Sequence, residues 1–364
     1  MSKKVLIAIS TNGPGGAERA ASYLANYFAS EGYIVFFVNS DANSCFYNLD
    51  NRVKIIKLDC DNKGKIKNNL RLFARIRSLI KKTKPDFCIP FLIKMELPVI
   101  LSCVRYRIPF FTSVRNDPSQ YDLFTRLFRK IYFKKANGVI FQSKKAMAHK
   151  DFSSLERKTV ISNMIGPQYS SFINYSIGSK RSRRIFTVGR LCKQKNQALL
   201  IDAFEKIADS ISDFQLHIYG TGDLKEYLEN KIIKDGYQNT IFLDGNVNDA
   251  IILNSDASLF VLPSNFEGFP NVLVEAMSCG IPVISTNFPS GVAEEIIIDG
   301  INGKLVPTQD IDALSKAMLF MINNPENADI MAKNALKVKE DLSVNKICSQ
   351  WKFFIETQLG EKNV

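Results

Sequence analysis

Two histidines and one tryptophan stand in 364 residues, and no two of the seven cysteines form a CxxC pair. Cys45, Cys60, Cys88, Cys103, Cys192, Cys279 and Cys348 are odd in number, and several fall in apolar, strand-like contexts. That pattern argues against a disulfide framework or a zinc site and for buried free thiols in a reducing cytosol. Long apolar runs are missing too. Stretches such as 34–38 and 251–253 fall far short of the roughly 20 residues a spanning helix needs. The amino terminus has two lysines and then about six apolar residues, which predicts a buried strand and not a signal peptide.

Hydrophobic residues make up 46% of the chain and charged residues 23%, an ordinary globular balance. The length is too great for one ordinary α/β core and suits two domains of about 170 residues each. The net charge of +12 is divided unevenly along the chain. Residues 1–170 carry 29 Lys and Arg against 12 Asp and Glu, and the remainder carries 19 against 24. A half at +17 joined to a half at −5 implies an anionic partner that meets the N-terminal half alone.

Short apolar runs alternate with helical patterns throughout. Strands are expected at 5–9, 34–38, 53–58, 87–89, 110–114 and 139–142, with helices at 17–30, 66–82, 99–104 and 121–135. Residues 166–184 lack periodicity and read as a linker. The pattern restarts with strands at 185–188, 215–219, 241–243, 259–262 and 283–285, and helices at 198–207, 224–233, 272–278 and 311–323. A last helix, 344–358, carries Trp351 and apolar residues at helical spacing. This alternation predicts α/β architecture with mostly parallel, doubly wound sheets. The expected domains are 1–168 and 182–343, with 344–364 packing back on the first.

The segment 263–286 (PSNFEGFPNVLVEAMSCGIPVIST) is the most specific signal. Glu267 lies in the loop at a strand's carboxyl end, where open α/β sheets bind ligands. Glu275 falls eight residues later, within a helix whose face is otherwise apolar. That helix begins near Pro270 and Asn271, so its first amides, with Phe269 and Val272 beside them, face the same loop. The segment 186–196 (FTVGRLCKQKN) ends a strand at Val188, turns at Gly189 and leaves Arg190 and Lys195 at the carboxyl end. Two cations in one loop of an acidic domain suit a diphosphate. Near the start, 12–19 (NGPGGAER) places glycines before a helix, allowing close approach of an anion to backbone amides. Gly13, Gly15 and Gly16 do not have the spacing of a dinucleotide fingerprint.

These segments resemble glycosyltransferase family 4, in particular bacterial polysaccharide, O-antigen, lipopolysaccharide and lipid-linked oligosaccharide enzymes. The likeness covers most of the chain and is strongest from 186 to 307. It implies the GT-B fold, two Rossmann-like domains facing across a cleft. Glu267 and Glu275 match the E-x7-E motif, in which the first acid contacts the transferred sugar and the second the donor's ribose. Arg190 and Lys195 match the diphosphate grip, and Gly15 and Gly16 a GGAER loop that touches the donor phosphate. Residues 244–247 resemble a loop that contacts the base, bringing Asn246 and Val247 to the nucleotide. Residues 221–223, another carboxyl-end loop of the same sheet, are expected to border the nucleotide.

One departure stands out. The family's N-terminal-domain histidine is missing after strand 110–114, where Ser113, Val114, Arg115, Asn116 and Asp117 stand instead. Arg115 or Asn116 is the candidate to contact the sugar or leaving phosphate. His149 follows a different helix start, and His217 is expected in the core.

The resemblance implies retaining transfer of a hexose or N-acetylhexosamine from a UDP-sugar (GDP less so) to a glycan, with no cofactor. No DxD-like pair stands where a metal would bridge the diphosphate, so no metal is expected. Basic, apolar-interleaved segments at 63–84 and 121–135 suit an anionic membrane surface or a lipid diphosphate. The expected partners are therefore a nucleotide-sugar donor, a polyprenyl-diphosphate-linked acceptor and the cytoplasmic face of the plasma membrane. A nucleotide-sugar epimerase of the same fold would need catalytic histidines that are poorly placed here. A basic nucleic-acid-binding protein would explain the charge but neither glutamate.

Overall fold

The computed structural model describes residues 2–10, 15–40, 47–58, 65–172 and 180–360. Two compact units emerge: 1–164 together with 344–364, and 165–343.

In the first unit, β1 (Lys4–Ile9), β2 (Ile34–Asn39), β3 (Lys54–Lys57) and β4 (Phe87–Pro90) form a parallel sheet in the order β3-β2-β1-β4. A second parallel sheet joins β5 (Phe111–Val114), β6 (Gly138–Phe141) and β7 (Lys158–Val160). A parallel bridge between Cys88 and Phe110 carries the first sheet on toward the second. Val5–Ile9 and Phe87–Pro90 are buried throughout, as strands covered on both faces must be, which is why they read as unbroken apolar runs. Helix Lys65–Thr83 inserts Leu72, Ile76 and Ile80 into the core at i, i+4, i+8.

The terminal helix Val344–Gln358 also belongs to this unit. It buries Ile347, Cys348, Trp351 and Ile355, and Trp351 stacks on Phe91 with ring centroids 6.0 Å apart. Lys352 pairs with Glu31 at 2.5 Å, and the Tyr33 hydroxyl donates to Glu356.

The second unit holds one six-stranded sheet, wholly parallel. Its strands are β8 (Ser182–Val188), β9 (Gln215–Tyr219), β10 (Ile241–Gly245), β11 (Ala257–Leu262), β12 (Val283–Thr286) and β13 (Lys304–Val306). They are ordered β10-β9-β8-β11-β12-β13. The chain thus works outward in one direction from β8, then returns to β8's other side with β11. This is the doubly wound Rossmann order, and its switch point lies between β8 and β11.

Several expectations need correction. The helix expected at 99–104 runs over Ile93–Tyr106 and contains Pro98. The long helix expected at 121–135 is broken: Asp122 accepts from the Thr125 amide at 2.7 Å and caps a helix confined to Leu123–Tyr132. The stretch 166–184 is not all linker, since Pro167–Ser170 is a helical turn and β8 begins at Ser182. Cys88, Cys103, Cys279 and Cys348 are buried free thiols and Cys192 is partly exposed, while Cys45 and Cys60 lie outside the described residues. Burial pushes the Cys279 and Cys348 thiols up to about 12.

Candidate active site

At the carboxyl edge of the second unit's sheet, three loops are laced by their backbones. The Gly189 amide donates to Tyr219 O, the Leu191 amide to Thr221 O, and the Gly220 amide to Gly245 O. This lacing demands glycine at two places. Gly220 has φ +141°, and a Cβ there would stand 2.0 Å from the Gly189 carbonyl oxygen. At Gly222 a Cβ would stand 2.3 Å from the Leu191 carbonyl oxygen.

The loops after β8 and β11 meet across the switch point. Lys195 Nζ lies 2.5 Å from Glu267 Oε1, and both side chains are largely buried. The Ser264 hydroxyl donates to the same oxygen at 2.7 Å, and Gln194 Nε2 reaches Glu267 Oε2 at 3.3 Å. Gln194 also donates to Phe266 O, while Asn265 donates from its amide to Gln194 O and from Nδ2 to Lys193 O. These bonds tie the two loops together. A buried carboxylate so placed is paired with a cation and oriented by a hydroxyl and an amide.

Glu275 stands inside helix Asn271–Ser278 and is buried. Pro270 occupies the cap of that helix and makes no side-chain hydrogen bond to its first amides. Phe269 and Pro270 are buried, while Asn271 and Val272 are half-buried at the first turn. Arg190 is exposed, and the Gln197 side chain pins the backbone beneath it by donating to Arg190 O at 3.0 Å. Asn246 is exposed and Val247 half-buried, immediately after β10. The candidates drawn from 186–275 are thus spread along one edge of a single sheet.

His217 is not a core residue. It lies half-exposed on β9, with Nδ1 3.0 Å from Asp244 Oδ2 and its ring stacked on Phe242 and Tyr219. A strand residue on the sheet's outer reach, followed by an acid one strand over, has a polar partner that sequence alone does not pair. His149 ends the helix Lys144–Ala148, and its Nδ1 accepts from the Asp151 amide at 3.3 Å.

In the first unit, residues 12–14 of the glycine-rich segment lie outside the described residues. Gly15 is the N-cap of helix Gly16–Ser30. A Cβ on Gly15 would come 2.1 Å from a Glu18 carboxylate oxygen, so that carboxylate folds back over the helix's positive end. Arg115 follows β5; it donates from Nε to the Ser113 hydroxyl at 3.1 Å and from Nη1 to the Asn163 carboxamide. Its guanidinium lies 4.8 Å from the Phe91 ring centroid. Burial pulls that guanidinium down to about 9, and the Glu18 charge opposes the fall. Arg115 therefore remains cationic at neutral pH.

A buried network behind this loop was not anticipated. Glu96 accepts both arms of the Arg129 fork, at 3.0 and 2.9 Å, with neither residue reaching solvent appreciably. The Thr112 hydroxyl adds a third donor to Glu96. Arg129 lies 4.3 Å from the Tyr121 ring centroid, and the Tyr121 hydroxyl both accepts from the Asn116 amide and donates to its carbonyl. Burial pulls the Arg129 guanidinium down, but the charges and hydrogen bonds of Glu96 and Tyr121 together outweigh it and leave it raised. Burial also raises the Tyr121 phenol. The signal was present in the sequence: a lone Glu within an apolar helix needs a cation, and Arg129 lies among aromatics.

Residues 175–338 match the family described as Glycosyl transferases group 1. That stretch is similar to group 1 glycosyltransferase domains. A Campylobacter jejuni GalNAc-α-(1→4)-GalNAc-α-(1→3)-diNAcBac-PP-undecaprenol α-1,4-N-acetyl-D-galactosaminyltransferase is 26% identical over 355 residues, covering 96% of this chain and 97% of that protein. A glycosyltransferase structure from Rickettsia africae superposes with TM-score 0.83 at 18% identity, covering 99% and 100%. Anabaena HepE in complex with UDP superposes with TM-score 0.79 at 19% identity, covering 98% and 100%. The fold is that of GT-B glycosyltransferases, with a Rossmann-like arrangement in each unit.

Proposed function

We propose that this glycosyltransferase moves a hexose or N-acetylhexosamine from a UDP-sugar, with retention, to a glycan on polyprenyl diphosphate during cell-surface polysaccharide synthesis. The observation that carries the proposal is the meeting of Lys195 and Glu267 at the switch point, flanked by Arg190 and the first turn of helix Asn271–Ser278. A dinucleotide-like donor fits such an edge. The Campylobacter relative's name specifies an undecaprenyl-diphosphate-linked substrate, and HepE was crystallised with UDP.

In this reading Arg190 and Lys195 neutralise the leaving diphosphate, and Glu267 accepts from a hydroxyl of the transferred sugar. Glu275 holds the ribose, Asn246 and Val247 border the base, and Gly15, Gly16 and Arg115 serve the phosphate and sugar. Lys195 exchanges its carboxylate partner for phosphate oxygens when donor enters. Preorganised charge of this kind acts where negative charge develops on the leaving group. The acceptor attacks from the same face, aided by the departing phosphate, and the N-terminal unit receives the acceptor at an anionic membrane surface.

The test is release of UDP from UDP-sugars with and without a polyprenyl-diphosphate-linked glycan. The expected result is release only with acceptor, retained product configuration, and little change on adding EDTA. Release without acceptor, or a strict need for added manganese or magnesium, would contradict the proposal.

A further inference from the structure

The basic segments do not have the faces their sequences suggest. In helix Lys65–Thr83, Arg71, Arg77, Lys81 and Lys82 are exposed, but Arg75 donates to the Leu58 carbonyl. Lys63 and the side chains of Lys65 and Lys67 lie outside the described residues. Helix Leu123–Tyr132 is different: it is apolar on two sides. Thr125, Phe128 and Arg129 face the core, yet Leu123, Phe124, Leu127 and Ile131 are 70, 62, 50 and 57% exposed. At about 100° per residue those four fall within one stripe about 100° wide. Four large apolar side chains on one exposed stripe form a binding surface, not scattered surface residues.

Charge selects the occupant. Lys130, Lys134 and Lys135 are exposed at the stripe's edge and beyond its end. Two nearby carboxylates are already engaged, Asp122 as the helix cap and Asp151 in a 2.7 Å pair with Arg126. A second copy of the chain would bring like charges together on this face. An anionic lipid surface meets the lysines with opposite charge and offers hydrocarbon to the stripe.

We infer that helix Leu123–Tyr132 inserts Leu123, Phe124, Leu127 and Ile131 into the acyl boundary of an anionic bilayer, with the lysines on its headgroups. This deepens, and rests on, the reading of a lipid-linked acceptor. The helix begins two residues after Tyr121, whose hydroxyl holds Asn116 beside Arg115. Insertion therefore anchors the Arg115 loop at headgroup depth, where a lipid diphosphate lies.

The chain supplies a clean reporter, because its only tryptophan, Trp351, is 1% exposed. Phe124→Trp is mixed with phosphatidylglycerol-containing vesicles, and emission and co-sedimentation are recorded together. Expected are a blue shift, quenching by brominated acyl chains, and binding that partly survives about 1 M salt, where the Debye length is about 3 Å. Leu127→Ser with Ile131→Ser should cut vesicle partitioning by at least about tenfold while UDP binding stays unchanged.

Sedimentation without a blue shift would mean attachment by charge alone, overturning insertion but not the lipid-linked reading. Vesicle-free dimerisation abolished by Leu127→Ser would assign the stripe to a second copy and overturn the inference. Absence of vesicle binding would do the same, and normal UDP binding would show that donor recognition stands independently.

Discussion

Glu267→Ala is expected to lower turnover by about two orders of magnitude or more, because in the proposed function it removes a contact realised as the glycosidic bond breaks. Glu267 Oε1 already accepts from Lys195 and Ser264, so the side chain is oriented before donor arrives. Truncation removes that acceptor and leaves the Lys195 ammonium without its carboxylate. Donor affinity should change far less than turnover, since Lys195 is then available to phosphate from the start. Circular dichroism and the unfolding midpoint should stay near wild type, as the loop retains its backbone links from Asn265 to Gln194. Near-normal turnover in such a folded variant would remove Glu267 from the chemistry.

The second large effect is on stability. Glu96→Ala leaves the Arg129 charge buried without its partner, which costs about 3–5 kcal/mol. Arg129→Met leaves the Glu96 carboxylate stranded and should cost a similar amount. The double variant Glu96→Leu with Arg129→Met removes both charges and should recover most of the loss. Denaturant unfolding of the three variants measures this directly. Single variants as stable as wild type, or a double variant worse than both, would mean that the pair does not hold the first unit. Because Arg129 also lies against Tyr121, which holds Asn116, the single variants should loosen the Arg115 loop as well.

Much of this architecture was legible in the sequence because it rests on periodicity. Helices 311–323 and 344–358 have the boundaries their apolar spacing predicts, since each presents one clean stripe to a core. The short strands β7 and β13 were missed, being three residues each with little buried surface to mark them. The neighbourhood of Glu267, Glu275, Arg190 and Lys195 could be read because each sits at a fixed offset from a recognisable strand or helix. Their pairing could not. The Lys195–Glu267 contact joins residues 72 apart in sequence, and only the β8–β11 adjacency brings them together. The Glu96–Arg129 pair and the His217–Asp244 pair escaped for the same reason, as did the division of helix Leu123–Tyr132 into a buried and an exposed apolar face.

The central claim is that a nucleoside diphosphate binds where the loops after β8 and β11 meet. Calorimetric titration of UDP, without any sugar or acceptor, tests it most directly. The account predicts saturable binding to the unaltered chain and markedly weaker binding to both Arg190→Ala and Lys195→Ala, since both cations bear on the diphosphate. Failure of the unaltered chain to bind UDP, or equal affinity in all three proteins, would contradict it.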